Sequence, residues 1–316
     1  MTKLSIIIVS WNTRDLLGRC LTTVQASLAH TNIPYTIVVV DNASTDGTPA
    51  MLRVDYPEVQ LIESGRNLGF AGGNNLALRR MLDGSGDTPD YVFLLNADTE
   101  VITDAIPQLV YYLETHPDVA VVGPQLRYPD GSVQSSRRHF PRRMTFFMES
   151  TPLAQYWPHN PWIRHYHFDN TPDTIEQRVD WLVGAALLVR ASAIVRAGLL
   201  DDGFMMYSEE LEWQQRLCHT QAGHIIYLPI AVIMHHEGKS SEQAIARRYI
   251  NFQQSRLRHA QMMYGQRFAT MLRLFLQAAY GCELMLEASK WLFGHKRSLR
   301  AQRIGVYWQV IRTLAS

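Results

Sequence analysis

The chain is 316 residues long, with 47% hydrophobic, 10% aromatic and 19% charged residues, a globular composition that excludes disordered, collagen-like and miniprotein architectures. Its 30 basic and 29 acidic residues give a net charge of +1 and no case for nucleic acid as a partner, yet residues 1–240 carry 18 Lys and Arg against 26 Asp and Glu while residues 241–316 carry 12 against 3. Cys20, Cys218 and Cys282 lie far apart without a C-x-x-C pair, which argues against a disulfide framework or a thiolate zinc site and fits a reducing, cytoplasmic setting.

The apolar run Leu4–Trp11 contains Ser5 and Ser10, lacks a small-residue cleavage site and is followed by Arg14 and Asp15, so it reads as a strand and not as a signal peptide. A helix is predicted over Thr13–Leu28, a strand over Thr36–Asn42, and a helix over Ser44–Tyr56 entered through Ser44, Asp46 and Gly47. Strands at Val59–Ser64, Tyr91–Asp98 and Val119–Pro124 then alternate with helices at Gly73–Leu82 and Asp104–His116. Such alternation specifies the α/β class, with a Rossmann-like, mostly parallel sheet flanked by helices.

From Pro124 to Asp180 the text breaks into Pro, Arg and aromatic residues, which predicts long loops with short helices. Order resumes at Trp181–Arg190, a helix-like Ser208–Leu217 and the apolar His224–His236; beyond Ser240 the sequence is helical to its end. No stretch reaches the roughly 18 apolar residues of a membrane span.

Open α/β sheets bind ligands beyond the carboxyl ends of their strands. Those ends are polar here: Ser10 to Asn12 after the first strand, Asp41, Asn42 and Ser44 after the second, and Asn96 to Asp98 after the fourth. The uncharged run Tyr91–Leu95 places the Asp98 carboxylate at a buried strand tip, where Mn2+ or Mg2+ would stabilise it with few other protein groups beside substrate phosphates; a turn cap is the alternative. The segment Arg66–Asn75, RNLGFAGGNN, sets glycines among asparagines at a strand-to-helix passage and suits an anion such as a diphosphate, although it is not the dinucleotide G-x-G-x-x-G.

Competing motifs fail on single residues. Ile233 stands where a phosphate loop ending at Gly238–Ser240 needs glycine, Ser240 stands where a zinc motif begun by His236 and Glu237 needs histidine, and no G-x-S-x-G occurs. Glu209, Glu210 and Glu212 crowd one helix start, either as a solvated acidic turn or as carboxylates whose pKa is raised into the range of a general base. His235 and His236 close the next strand, and imidazole suits Mn2+ better than Mg2+; a structural histidine pair is the alternative.

Taken in order, SIIIVSWN, VVVDNASTDGT, NLGFAGGNN, LNADTE, WLVGAALLVR, FMMYSEELEWQQRL and the H-x-x-G-x-S of His235–Ser240 resemble the inverting family 2 glycosyltransferases of GT-A fold, particularly bacterial rhamnosyltransferase-like members that build surface polysaccharides. The resemblance covers residues 3–240. It implies donor contacts from Ser10, Asn12, Asp41, Asn42, Ser44, Asn67, Asn75 and Asn96, and a donor-sugar and acceptor pocket lined by Trp181, Gly184 and Ala185. It makes Asp98 the principal metal ligand, His235 the second, and Glu210, beside Glu209, the catalytic base. The family writes Glu-Asp-x-Asp where this chain has Glu209-Glu210-Leu211-Glu212, and the extra methylene moves the base by about 1 Å, a misplacement that can lower rates about a hundredfold.

The resemblance divides the chain into a catalytic domain at 1–240, with a nucleotide-sugar half at 1–124 and an acceptor half at 125–240, and a basic helical extension at 241–316. The expected donor is dTDP-rhamnose, or else a UDP-sugar, and the expected acceptor a glycan or lipid-linked saccharide. A catalytically weak sugar-nucleotide-binding scaffold of a polysaccharide assembly complex is the rival, and a nicotinamide oxidoreductase a distant third. The extension, with its arginines set among Phe, Leu, Met and Trp, suits either peripheral contact with the inner face of the cell membrane or packing on the catalytic domain or on a second subunit of a homodimer.

Overall fold

The structure is a computed structural model that describes residues 3–82, 88–237, 245–294 and 296–315. The first half runs β1 (Leu4–Ser10), α1 (Arg14–Leu28), β2 (Tyr35–Asp41), α2 (Thr48–Asp55), β3 (Gln60–Glu63), α3 (Gly69–Leu82), β4 (Tyr91–Asn96), β5 (Thr99–Val101), α4 (Ala105–Thr115) and β6 (Val119–Arg127). Short elements follow: β7 (Val133–Gln134), β8 (Arg137–Arg138), α5 (Arg143–Met148), α6 (Pro152–Tyr156), α7 (Pro161–Tyr166), β9 (Gln177–Val179) and β10 (Trp181–Leu182). Then come β11 (Ala186–Arg190), α8 (Ala191–Ala197), α9 (Glu209–His219), β12 (His224–His235) and three long helices, α10 (Ile245–Tyr264), α11 (Gln266–Leu292) and α12 (Arg297–Ala315).

Chain contacts divide the molecule into two compact units. The first, residues 3–82, 88–140, 170–205 and 209–237, holds the main sheet, in the order β3-β2-β1-β4-β11-β6-β12-β5. The strands from β3 to β4 run parallel, β11 runs antiparallel to both its neighbours, and β5 pairs antiparallel with the end of β12, so the sheet is mixed and mostly parallel as the alternation of elements implies. Burial on both faces explains why β1 and β4 are continuous apolar runs instead of alternating ones. Leu17, Leu21, Val24 and Leu28 form one helical stripe of α1 in this core, each worth about 1.5–3 kcal/mol on leaving water.

Where sequence and structure differ, local geometry gives the reason. The second helix starts at Thr48 and not Ser44, because Gly47 turns left-handed at φ 87° and the preceding loop is tied elsewhere. The third starts at Gly69 and not Gly73; Gly69 also has a left-handed φ of 70°, and a Cβ there would lie 2.0 Å from the Met205 carbonyl oxygen.

The second unit comprises residues 141–169, 206–208, 245–294 and 296–315. Its core packs Phe146 of α5 with Leu257, Ala260, Phe268, Leu272, Leu276, Val310 and Leu314, which is why residues 141–169 group with the C-terminal helices. Among the described residues, no helix is long and apolar enough to cross a membrane.

Candidate active site

Parallel pairing aligns the polar strand ends along one edge. Ser10 is in register with Asp41 across β1 and β2, and Val9 with Asn96 across β1 and β4. The two loops that follow β1 and β2 are bonded to each other: the Asn12 amide donates to Ser44 Oγ at 2.9 Å, and Asn12 Oδ1 accepts from the Thr45 amide at 2.7 Å. Both loops hold a left-handed non-glycine residue, Asn12 at φ 51° and Ala43 at φ 62°, strain on the order of 1 kcal/mol each that the surrounding bonds sustain.

Within this pair of loops the predicted donor residues divide. Asp41 is buried and accepts the Ser44 amide on Oδ2 at 3.0 Å, while its Oδ1 meets no hydrogen-bond donor among the described residues, leaving an acceptor for a ligand hydroxyl or N–H. Ser10 Oγ is 2.9 Å from Thr13 Oγ1. Asn42 donates to the Gly69 carbonyl at 3.0 Å, and Asn67 Oδ1 accepts the Gly69 amide at 2.9 Å, so both shape the strand-to-helix passage. Asn75 is placed elsewhere, with its amide donating to the Leu200 carbonyl at 2.8 Å and its Oδ1 accepting the Leu200 N–H at 3.1 Å. The glycines of RNLGFAGGNN serve packing as well, since a Cβ on Gly73 would lie 2.7 Å from a Val9 methyl.

Asp98 and His235, 137 positions apart in the chain, meet because β5 pairs with the end of β12, with Thr99 opposite His235. Asp98 Oδ1 lies 3.3 Å from His235 Nε2, both side chains are buried, and the Asn96 amide nitrogen is 3.5 Å from the same ring nitrogen. The tautomer follows from the outer contacts. Gln134 Nε2 donates to Glu237 Oε2 at 2.9 Å, so its Oε1 is the acceptor for His235 Nδ1–H, also at 2.9 Å. In the neutral ring, Nε2 is then the atom with the free lone pair, and it faces the Asp98 carboxylate. A carboxylate with a neutral imidazole is a donor set that fits Mn2+. Among the described residues no cluster of three or more His, Cys, Asp or Glu could hold a metal. Gly238 to Ser240 of the H-x-x-G-x-S lie outside the described residues.

Cys20 lies by the same turn, 3.5 Å from Thr99 Oγ1. Burial pushes its thiol up to about 12, which leaves it inert. His236 is turned away to Glu100, at 2.7 Å.

The acidic cluster at the start of α9 also divides. Glu212 is buried and bonded to Arg216 at 2.6 and 2.9 Å, an intrahelical pair that also braces the carbonyls of Ala197 and Leu199. Glu209 is buried. Glu210 is partly exposed; desolvation pushes its carboxyl above the ordinary range, against the opposing pull of the backbone amides of Glu210, Gly184 and Leu211 and of the Arg138 guanidinium.

A short turn joins these parts. The Ala185 carbonyl accepts the Asn96 amide at 2.9 Å, while a Cβ on Gly184 would lie 3.3 Å from Glu210 Cβ and Cγ. Gln214 fixes the turn to α9, accepting the Leu182 amide at 2.9 Å and donating to the Leu182 carbonyl at 2.7 Å. Trp181 is buried with its indole N–H on the His139 carbonyl at 3.1 Å. Sequence reading missed Gln134, Gln214 and Arg138, whose partners lie far along the chain and leave no local sign.

Residues 5–176 match the model described as glycosyl transferase family 2. The N-acetylglucosaminyl-diphospho-decaprenol L-rhamnosyltransferase of Mycobacterium tuberculosis is 34% identical over 217 residues, 67% of this chain and 69% of that protein. The fold is similar to that of a mannosyltransferase from Pyrobaculum calidifontis solved with GDP-Man and Mn2+, with a TM-score of 0.54 and 16% identity, covering 99% of this chain and 85% of that one. It is also similar to GalNAc-T7 solved with UDP, GalNAc and Mn2+, with a TM-score of 0.52 and 16% identity, where the match spans 74% of this chain but only 43% of that one. These two likenesses establish the GT-A type of fold, a mixed and mostly parallel sheet flanked by helices. On the family match and the rhamnosyltransferase relative together, the chain belongs to glycosyl transferase family 2.

Proposed function

We propose that this glycosyltransferase moves a sugar, with inversion, from a nucleoside-diphosphate donor to a hydroxyl of a lipid-linked saccharide or glycan in polysaccharide synthesis on the cytoplasmic side of the membrane. Rhamnose from dTDP-rhamnose is the favoured donor, because the relative's name specifies L-rhamnosyl transfer to a diphospho-decaprenol-linked sugar. One observation carries the assignment of roles: the Gly184–Ala185 turn bonds the Asn96 strand end on one side and packs on Glu210 on the other, linking the Asp98–His235 pair to a carboxyl of raised pKa.

Asp41 and the interlocked loops at Asn12 and Ser44 receive the nucleotide, with Asp41 Oδ1 as the acceptor for its hydroxyl or N–H groups. Asp98 and His235 would hold Mn2+ or Mg2+, which would supply charge to offset that of the departing diphosphate. Glu210 takes the proton of the attacking acceptor hydroxyl, help on the order of 10² to 10⁴ in rate. Its raised pKa favours a working base over an inert scaffold.

The test is calorimetric titration of UDP, dTDP and GDP, each with Mn2+ and again with EDTA, followed by transfer assays with the sugar nucleotide so identified. Metal-dependent binding of one nucleotide that Asp98→Ala weakens, together with transfer, supports the proposal. Nucleotide binding without donor hydrolysis or transfer favours the scaffold, and an unchanged affinity in Asp98→Ala with Mn2+ removes the metal role of that residue.

A further inference from the structure

We propose that the turn between α11 and α12 docks the helical unit onto an anionic lipid surface. The last two residues of α11 and the cap residue that follows are large apolar side chains that face water: Trp291 is 40%, Leu292 68% and Phe293 89% exposed. Met285 and Leu286 continue the exposed apolar surface back along α11, and Leu299 does so on α12.

Cations surround this tip. Between residues 283 and 303 the chain has Lys290, Lys296, Arg297, Arg300 and Arg303 against Glu283 and Glu287. The Glu287 charge is already met, with Arg300 at 2.6 Å, Lys290 at 3.5 Å and Arg303 at 3.6 Å. Lys296 and Arg297 are exposed. The end of α11 is tied: the Gly294 amide donates to the Trp291 carbonyl at 3.0 Å, and Arg297 bonds the same carbonyl at 3.3 Å with its guanidinium 5.6 Å from the Trp291 ring centre.

Two features select lipid over a second copy of the chain. Consecutive residues on a helix point about 100° apart, so Trp291, Leu292 and Phe293 cannot share one packing face, whereas an interface that surrounds the tip covers all three. A second copy would also bring like-charged tips together, which costs affinity, while an anionic leaflet complements them. The inference stands apart from the proposed reaction, because vesicle binding and nucleotide binding are read separately.

The experiment is co-sedimentation of the full chain with phosphatidylcholine vesicles, with and without about one third phosphatidylglycerol. Binding is expected to the anionic vesicles and to fall with added salt. Leu292→Glu with Phe293→Glu should lower partitioning by at least about a hundredfold, since each large apolar side chain buried is worth tenfold or more. Lys296→Gln with Arg297→Gln should lower it about fivefold per cation removed. Trp308→Glu, changing an exposed aromatic of α12 outside the tip, should leave binding intact, and circular dichroism checks that each variant is folded. Equal binding to neutral vesicles, no binding by folded protein, or tip variants that bind like the parent overturn the proposal. So does self-association that the tip variants abolish without any vesicle binding, which would assign the surface to a second copy.

Discussion

Replacing Gly184 by alanine tests the geometry of the site without removing a charge. The new Cβ would stand 3.3 Å from Glu210 Cβ and Cγ and 3.4 Å from the Phe70 ring, closer than side chains ordinarily approach. Glu210 must then shift by a few tenths of an ångström, because the Ala185 carbonyl and Gln214 hold the turn itself in place. A 1 Å misplacement costs about a hundredfold in rate, so this shift should lower kcat by about three- to tenfold. The packing cost should stay near about 1 kcal/mol, the low end for one extra methyl. The assay pairs steady-state transfer with nucleotide calorimetry: kcat falls while the Kd for the nucleoside diphosphate is unchanged, because Asp41 and Asn12 are untouched. An unchanged kcat in folded protein would refute the placement of Glu210 as the base, and a loss confined to nucleotide affinity would assign the turn to the donor instead.

Other expectations follow from the same contacts. Glu210→Gln should abolish transfer and spare nucleotide binding; retained turnover removes it as the base. Since desolvation raises the Glu210 pKa, the acid limb of kcat/KM should lie above the ordinary glutamate range, with activity rising as pH passes upward through it. The stability sign is opposite: the folded state favours the neutral carboxyl, so its contribution is present below the unfolded pKa and is lost as pH rises through the folded one, and a denaturation series across that range should show Glu210→Gln losing less. Gln134→Leu frees the His235 ring from its Nδ1 partner and should weaken Mn2+ affinity about 10- to 100-fold, read by calorimetry without substrate. Arg216→Met leaves Glu212 buried without its partner and should cost about 3 kcal/mol in urea unfolding, with a loss under 1 kcal/mol showing the pair to be dispensable.

The sequence by itself determined the alternation of strands and helices, the polar strand ends and the basic C-terminal helices, because apolar periodicity and side-chain chemistry are local properties. Its ordered motifs also named Asp98, His235 and Glu210. Tertiary structure alone decided where those residues lie and what they touch. The antiparallel pairing of β5 with β12 brings Asp98 to His235, and a glutamine 101 positions away holds the imidazole through Nδ1. Of three glutamates in one helical turn, Arg216 claims Glu212 and the Gly184 turn meets Glu210. Asn75, in the same segment as Asn67, bonds to Leu200 because α3 buries that face. No local pattern encodes such choices: hydrogen-bond partners a hundred residues apart are selected by sheet register and by which face of each helix is buried, and these exist only once the chain has folded.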